Sequence, residues 1–494
     1  MDDVVKPALL ILAPICLLQI YWTRLDFTLL LDNLMADDSF LYLQIVRNIA
    51  DRGMVSFDGI HATTGFQPLW AVLLVPLALV IEDRVEFVRW VLLLSVFLNL
   101  AAGLLLANVA SMLGGRSSGL ITACLWAGYM LAARPAMIGM ESPLLALMFS
   151  GFLLSLLRDR MVPAAVTGLF LARTDALLFA PVASVFQHRR RLLRTAAWSL
   201  LLVSPYLAFN LVTSGQLMPI SGSVKMWWAS QDVHTIREIA FRVVDIAREI
   251  AHQVVPLRGL GLWAALFAVA LAIPVAMETP RLTRPARRFF IALFACATLH
   301  VLVCVVLLGR LGTVRWYFVP EYMIVCLFVG VVLARVRPRL VACSVAALLL
   351  FQMAQSHRNI TEPRPGLHRA RYELAAEIGR TLPPDAVIGA WNSGELGYFT
   401  PQTVVNLDGL ANDARYFNFL RGGGDVRHYL KEVGVDYIAD YNGRDSSMPL
   451  DYDWDPDETF RGLWPLTELE IVLQRSGLRR GELMVFRVRA PVEP

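Results

Sequence analysis

Apolar runs almost free of charge recur along the first three quarters of the chain. They cover Pro7–Trp22, Val88–Met112, Gly119–Ala133, Pro143–Leu157, Met161–Ala172, Ala176–Gln187, Thr195–Thr213, Gly261–Met277, Phe289–Leu308, Phe318–Ala334 and Leu340–Gln355. A helix needs about 20 apolar residues to cross the hydrocarbon core, so the pattern predicts about eleven transmembrane helices, some of them short. A further apolar run, Pro68–Ile81, is too short for a crossing and reads as a re-entrant or interfacial helix. After about Gln355 the texture changes abruptly, and residues 357–494 are polar, charged and rich in turns. There Ala386–Trp391, Thr403–Leu407 and Asp436–Ala439 predict strands, and Glu373–Thr381 and Asp425–Val433 predict helices, a small α/β layer fold. The chain therefore divides into a membrane module, residues 1–356, and a soluble α/β domain, residues 357–494.

Arginine placement orients the spans. The loops at Arg158–Arg160, at Arg189, Arg190, Arg191 and Arg194, at Arg281, Arg284, Arg287 and Arg288, and at Arg335, Arg337 and Arg339 are expected on the cytoplasmic side. Two crossings separate each of these loops from the next. That parity puts the N-terminus inside, the C-terminal domain outside, and residues 23–86 in one long external segment. The first run lacks a basic n-region and a small-residue cleavage site, so it reads as a retained anchor in the plasma or inner membrane. Met161–Ala172 and Ala176–Gln187 are too short for two full crossings, which places the turn Arg173–Thr174–Asp175 below the outer surface, in a cavity. Between Ile236 and Val254 one helical face carries Ile236, Ile239, Val243 and Ile250 and the other Arg237, Glu238, Arg242 and Asp245, which predicts an interfacial amphipathic helix.

Composition agrees with a membrane protein: 56% of residues are hydrophobic and 17% charged, and the net charge is only +4. The six cysteines, Cys16, Cys124, Cys296, Cys304, Cys326 and Cys343, all lie in apolar runs, so neither a disulfide framework nor a zinc site is expected.

The external segment opens with Ala36–Asp37–Asp38–Ser39–Phe40–Leu41–Tyr42–Leu43. Tyr42, Ile45, Val46 and Ile49 form a helical face, so Asp37 and Asp38 stand at the start of that helix. One aspartate suffices as an N-cap, whereas two at a membrane surface leave one for chemistry. Glu141, in Gly139–Met140–Glu141–Ser142–Pro143, falls at the outer end of a span, where an ionisable group is a functional candidate or a helix-start acid. Arg173 and Asp175 read equally as a structural ion pair and as part of a phosphate site. Arg310 and Arg315, in the external loop Gly309–Tyr317, and Lys225 run against the positive-inside trend, which an anionic ligand explains. The acid run Asp451, Asp453, Asp455, Asp457 and Glu458 lacks the glycine and the twelfth-position glutamate of a calcium loop and reads as a solvated loop.

These motifs together resemble the glycosyltransferase C superfamily, polytopic enzymes that use polyprenyl-phosphate sugars. The sequence is most similar to the bacterial aminoarabinose and arabinofuranosyl transferases and the protein O-mannosyltransferases. The match is carried by Ala36–Leu43 followed by Thr64–Gly65–Phe66–Gln67–Pro68–Leu69–Trp70, by Gly139–Ser142, by Arg173–Thr174–Asp175, and by Arg315–Trp316–Tyr317 with Pro320. Ala390–Trp391–Asn392–Ser393–Gly394 and Asn406–Asn412 complete it, so the likeness covers nearly the whole chain. Thr174 departs from the family, in which proline is common at that place. The resemblance implies an inverting hexosyl or pentosyl transfer with an acid of the first external loop, here Asp37 or Asp38, as general base. It places the substrate among Glu141, Arg173, Asp175, Lys225, Arg310, Arg315 and Tyr317. A divalent cation, Mg or Mn, would suit Asp38 and Glu141, and no nucleotide or organic cofactor is expected. The partners are then the lipid-borne donor, an extracytoplasmic glycan, lipid or protein acceptor, and membrane lipids, with no nucleic acid. A transporter or flippase of lipid-linked saccharides would also bury charges, although its acids tend to lie at mid-membrane and its sequence to repeat. A non-catalytic assembly scaffold is the third reading.

Overall fold

The computed structural model describes residues 2–132, 136–231, 235–254, 281–312, 314–336, 338–363, 366–424, 426–442, 469–478 and 481–488. Its first part is helical: α1 (Asp2–Trp22), α2 (Phe27–Asn33), α3 (Asp37–Arg52), α4 (Pro68–Val80), α5 (Arg84–Gly114), α6 (Arg116–Leu131), α7 (Ser142–Arg158) and α8 (Val162–Ala172). A 3₁₀ helix, Thr174–Val185, leads to α9 (Arg189–Ser214), α10 (Ile220–Gln231), α11 (Ile236–Val254) and α12 (Arg284–Gly312). After a short 3₁₀ turn, Arg315–Phe318, come α13 (Val319–Leu333) and α14 (Pro338–Thr361). Five of the described helices are long and apolar enough to cross a membrane: Asp3–Trp22, Arg84–Gly114, Arg189–Ser214, Arg284–Gly309 and Trp316–Leu333. The chain is thus a multi-pass membrane protein. The expected spans 119–133, 143–157, 161–172 and 176–187 fall on shorter apolar elements, and 261–277 lies outside the described residues.

The short hairpin has a physical device for its length. Helix α8 has 11 residues, and its partner, 12 residues, is wound as 3₁₀. At about 2.0 Å rise per residue that element reaches about 24 Å, where an α-helix of the same length would reach about 18 Å. Helix α4, with 13 residues, covers only about 20 Å of a hydrocarbon core about 30 Å thick. Helix α11 forms where the amphipathic pattern predicted it, and its Ile246 and Ile250 pack against a cluster of Cys304, Tyr317 and Phe318.

The C-terminal part contains α15 (Leu367–Thr381), β1 (Val387–Ala390), α16 (Gly394–Phe399), β2 (Thr403–Asn406), α17 (Ala414–Arg421), α18 (Val426–Val433), β3 (Tyr437–Asn442), β4 (Leu469–Leu478) and β5 (Gly481–Val488). The sheet order is β2-β1-β3-β5-β4, with β2, β1 and β3 parallel and β5 antiparallel to both neighbours. Strand alternation assigns the two faces. Tyr437, Ala439, Leu483 and Val485 share one core with Leu374, Ala375 and Ile378 of α15, while Ile438, Met484 and Phe486 share another with Tyr416, Tyr429 and Leu430 of α17 and α18. The acid run 451–458 lies outside the described residues.

This domain packs directly on the helix that carries the two aspartates. Helix α16 packs on α3, and α15 on α2. The Asn33 amide donates to the Ile360 carbonyl at 3.1 Å, and the Thr63 hydroxyl donates to the Asn412 carbonyl at 2.9 Å. At Gly394 a Cβ would stand 2.1 Å from the Asp37 carbonyl oxygen, so only glycine allows this approach.

Candidate active site

Helix α3 is capped by Ala36, which has no side-chain hydrogen bond, and Asp37 and Asp38 are its first two residues. Neither aspartate caps its own helix, and they point to different partners. Asp37 accepts from the backbone N–H of Gly394 at 3.1 Å and of Glu395 at 3.0 Å, with Arg371 3.7 Å away. Burial, and then the Glu395 carboxyl beside it, push Asp37 up to about 7. Its carboxylate therefore fastens the soluble domain to α3. Asp38 makes no hydrogen bond to any described residue. It is half-buried, and burial raises its pKa above the usual carboxylate range while Lys225 pulls it down.

Lys225, on α10, donates to the Tyr317 hydroxyl at 2.7 Å. Burial opposes its charge, but the Tyr317 phenol and Asp38 outweigh that and raise its pKa above the ordinary lysine value. The Arg173 guanidinium lies 3.8 Å from the Tyr317 ring centroid, a desolvated cation–π contact. Tyr42, half-buried on α3, packs against a small cluster of Ala36, Ile138 and Met140 together with Trp316.

Glu141 sits at the start of α7 without capping it. The preceding loop turns through Gly139 at φ +82, a conformation that L side chains rarely adopt, and a Cβ there would also meet the Met35 side chain at 2.7 Å. One Glu141 oxygen accepts from Arg173 at 2.6 Å; the other is buried without a hydrogen bond. Arg173 closes a two-pronged contact on Asp175, with Nε at 3.0 Å and Nη2 at 2.7 Å. Asp175 in turn faces His300 Nε2 at 3.6 Å, and His300 Nδ1 lies 2.6 Å from Glu321. Glu141, Arg173, Asp175, His300 and Glu321 thus form a buried chain of alternating charge that joins α7, the hairpin, α12 and α13.

The structure brings Asp38, Glu141, Arg173, Asp175, Lys225 and Tyr317 together and turns Asp37 towards the soluble domain. The side chains of Arg310 and Arg315 lie outside the described residues. Sequence reasoning missed His300 and Glu321, although each is a lone ionisable group in or beside an apolar span, which is itself a signal. It also missed Asp408, which burial pushes up to about 8 with Asp38 and Asp37 adding to the effect. Within the Asn406–Asn412 motif the Asn406 amide donates to the Ser393 hydroxyl at 2.8 Å, and its carbonyl oxygen accepts from the Ala411 N–H at 3.1 Å. That brace sets the loop bearing Asp408.

Among the described residues, the group of three His, Cys, Asp or Glu side chains whose ligand atoms lie within 4.8 Å of one another is Asp175, His300 and Cys304. Asp38 and Glu141 belong to no such group, and one oxygen of Glu141 is already held by Arg173. Cys304, which helix spacing places one turn after His300, thus stands in a group whose spacing could hold a metal ion.

Comparison with known proteins bears on the fold. A family model described as a domain of unknown function (DUF8728) matches residues 358–483. No curated protein matches the sequence. In structure the chain is similar to ArnT from Cupriavidus metallidurans bound to undecaprenyl phosphate, with TM-score 0.62 and 14% identity, covering 98% of both chains. The apo state of that protein gives TM-score 0.61 and 13% identity, covering 97% of both. The oligosaccharyltransferase of Archaeoglobus fulgidus in the apo form is similar over 88% of this chain and 69% of its own, with TM-score 0.53 and 10% identity. The likeness to these solved structures is one of fold, and for ArnT it extends over nearly the whole chain.

Proposed function

We propose that this protein is an inverting glycosyltransferase that moves a sugar from a polyprenyl-phosphate donor to an extracytoplasmic glycan, lipid or protein. The observation that supports it most is the Asp38 carboxylate, free of hydrogen bonds among the described residues, beside a site built of Lys225, Tyr317 and Arg173. Asp38 accepts the proton of the acceptor hydroxyl as that oxygen attacks the anomeric carbon. The bond to the phosphate oxygen breaks on the opposite face, which inverts the centre. The leaving phosphate gathers negative charge, and Lys225 meets it, held in place by the Tyr317 hydroxyl. Arg310 and Arg315 are further partners for that phosphate. Asp408, whose pKa burial pushes up to about 8, can hold the acceptor and donates to it when protonated. Arg173 is engaged on both sides by Glu141 and Asp175, so its part is to position Tyr317 from below. A Mg or Mn ion on Asp38 and Glu141 would have to draw its remaining ligands from the substrates, and no step here depends on one. In this reading the N-terminus is cytoplasmic and the soluble domain extracytoplasmic. In cells lacking the protein, mass spectrometry should find one lipid-linked sugar accumulated and one surface glycoform lost. Unchanged lipid-linked and surface pools would refute the proposal.

Sidedness has its own test. Reporter fusions after Arg191 and Arg288 should be active only on the cytoplasmic side, and a fusion to the soluble domain only on the opposite side. A cytoplasmic soluble domain would place Asp38 beside nucleotide sugars and remove the reason for a lipid-borne donor.

A further inference from the structure

At the inner end of the charge chain, three side chains of different chemistry converge. His300 and Cys304 are four residues apart on α12 and therefore share a helical face. Both are buried at 1% exposure, and Asp175 reaches them from the hairpin. His300 Nε2 stands 3.6 Å from Asp175 Oδ2 and 3.5 Å from Cys304 Sγ. Zinc bonds of about 2.0–2.1 Å to nitrogen and oxygen and about 2.3 Å to sulfur, set at tetrahedral angles, require N···O and N···S separations of about 3.3 and 3.5 Å. The observed spacings fit ligands arranged around such an ion; the 3.6 Å His300–Asp175 separation is long for a direct N–H···O hydrogen bond, while 3.5 Å between His300 and Cys304 suits a thiol–imidazole hydrogen bond as well as two ligands of one ion.

A second observation points the same way. The other imidazole nitrogen, Nδ1, is held at 2.6 Å by Glu321, the carboxylate–histidine arrangement that orients metal-bound imidazoles and raises their basicity. The second Glu321 oxygen is buried with no hydrogen bond among the described residues. Cys304 is not in a disulfide.

We infer that Asp175, His300 and Cys304 bind a divalent transition metal of the zinc class, with three protein ligands and one open position. The N/O/S donor set favours such an ion over Mg or Mn, which prefer all-oxygen sites. The ion fixes Asp175, and through it Arg173 and the Tyr317 ring above. The inference stands on ligand geometry alone, independent of the reaction proposed above.

The test uses the full-length protein in detergent, stripped with chelator and titrated with Co²⁺ and then Zn²⁺. The expected result is one Co²⁺ per chain with a near-ultraviolet thiolate charge-transfer band, displaced by Zn²⁺. Cys304→Ser should remove the band. Glu321→Gln, which keeps all three ligands, should weaken binding about 10- to 100-fold. Should Cys304→Ser not fold, Glu321→Gln decides. Absence of the band in the wild type, its persistence in Cys304→Ser, or unchanged affinity in Glu321→Gln would each overturn the site.

Discussion

Asp38→Asn should abolish sugar transfer while leaving the thermal unfolding midpoint where it was. General-base catalysis contributes about 10²–10⁴-fold, and Asn keeps the size of Asp without its basicity. The stability half of the expectation follows from the structure, because the Asp38 side chain caps no helix and makes no hydrogen bond to any described residue. Asp37→Asn should behave in the opposite sense. It deprives the N–H groups of Gly394 and Glu395 of a charged acceptor, so it should loosen the soluble domain at a cost of about 1–3 kcal/mol. The pH profile carries a matching sign. The base works deprotonated, and burial raises its pKa, so transfer should fall with decreasing pH at a value above the usual carboxylate range. Full activity in Asp38→Asn with loss in Asp37→Asn at unchanged stability would exchange the two roles.

Arg173→Met should be among the most destabilising single changes in the membrane part. The guanidinium is 4% exposed and is the shared counter-ion of Glu141 and Asp175. Removing it leaves the buried Glu141 carboxylate, and the half-buried Asp175 beside it, without that counter-ion, and breaking a buried pair in this way costs about 3–5 kcal/mol. Arg173→Lys should recover only part of that, since one ammonium cannot present the fork that spans Asp175 while reaching Glu141. Thermal unfolding in detergent measures both, and a wild-type midpoint for Arg173→Met would show that the charge chain does not hold the bundle.

The start of α3, the aspartate pair, the short hairpin and the basic residues near Tyr317 could all be read from residue pattern, because each depends on neighbours within a few positions. The division of labour between Asp37 and Asp38 could not. It is decided by Gly394 and Glu395, more than 350 residues away, and adjacency in sequence carries no trace of that contact. His300 and Glu321 left a faint signal, one charge each among apolar neighbours, but Glu321 in the first turn after Pro320 passes for an ordinary helix-start acid. The hairpin β4–β5 was missed for a different reason. Strand β5 lies inside the sheet with both faces covered, so Leu483–Phe486 is continuously apolar and loses the alternation that marks a half-buried strand. Helix α16, at 6 residues, is too short to show a helical period at all.

The central claim is that this chain breaks the bond between a sugar and a polyprenyl phosphate. Phosphorus NMR of the purified protein with polyprenyl-phosphate sugars and an extract of envelope acceptors observes that bond directly, since cleavage converts a phosphodiester into a phosphomonoester. The account predicts that the monoester signal grows with wild-type protein and acceptor, and stays at background with Asp38→Asn or without acceptor. A diester signal that persists unchanged, while the same protein in vesicles moves the intact lipid-linked sugar between leaflets, would contradict it and make the chain a transporter.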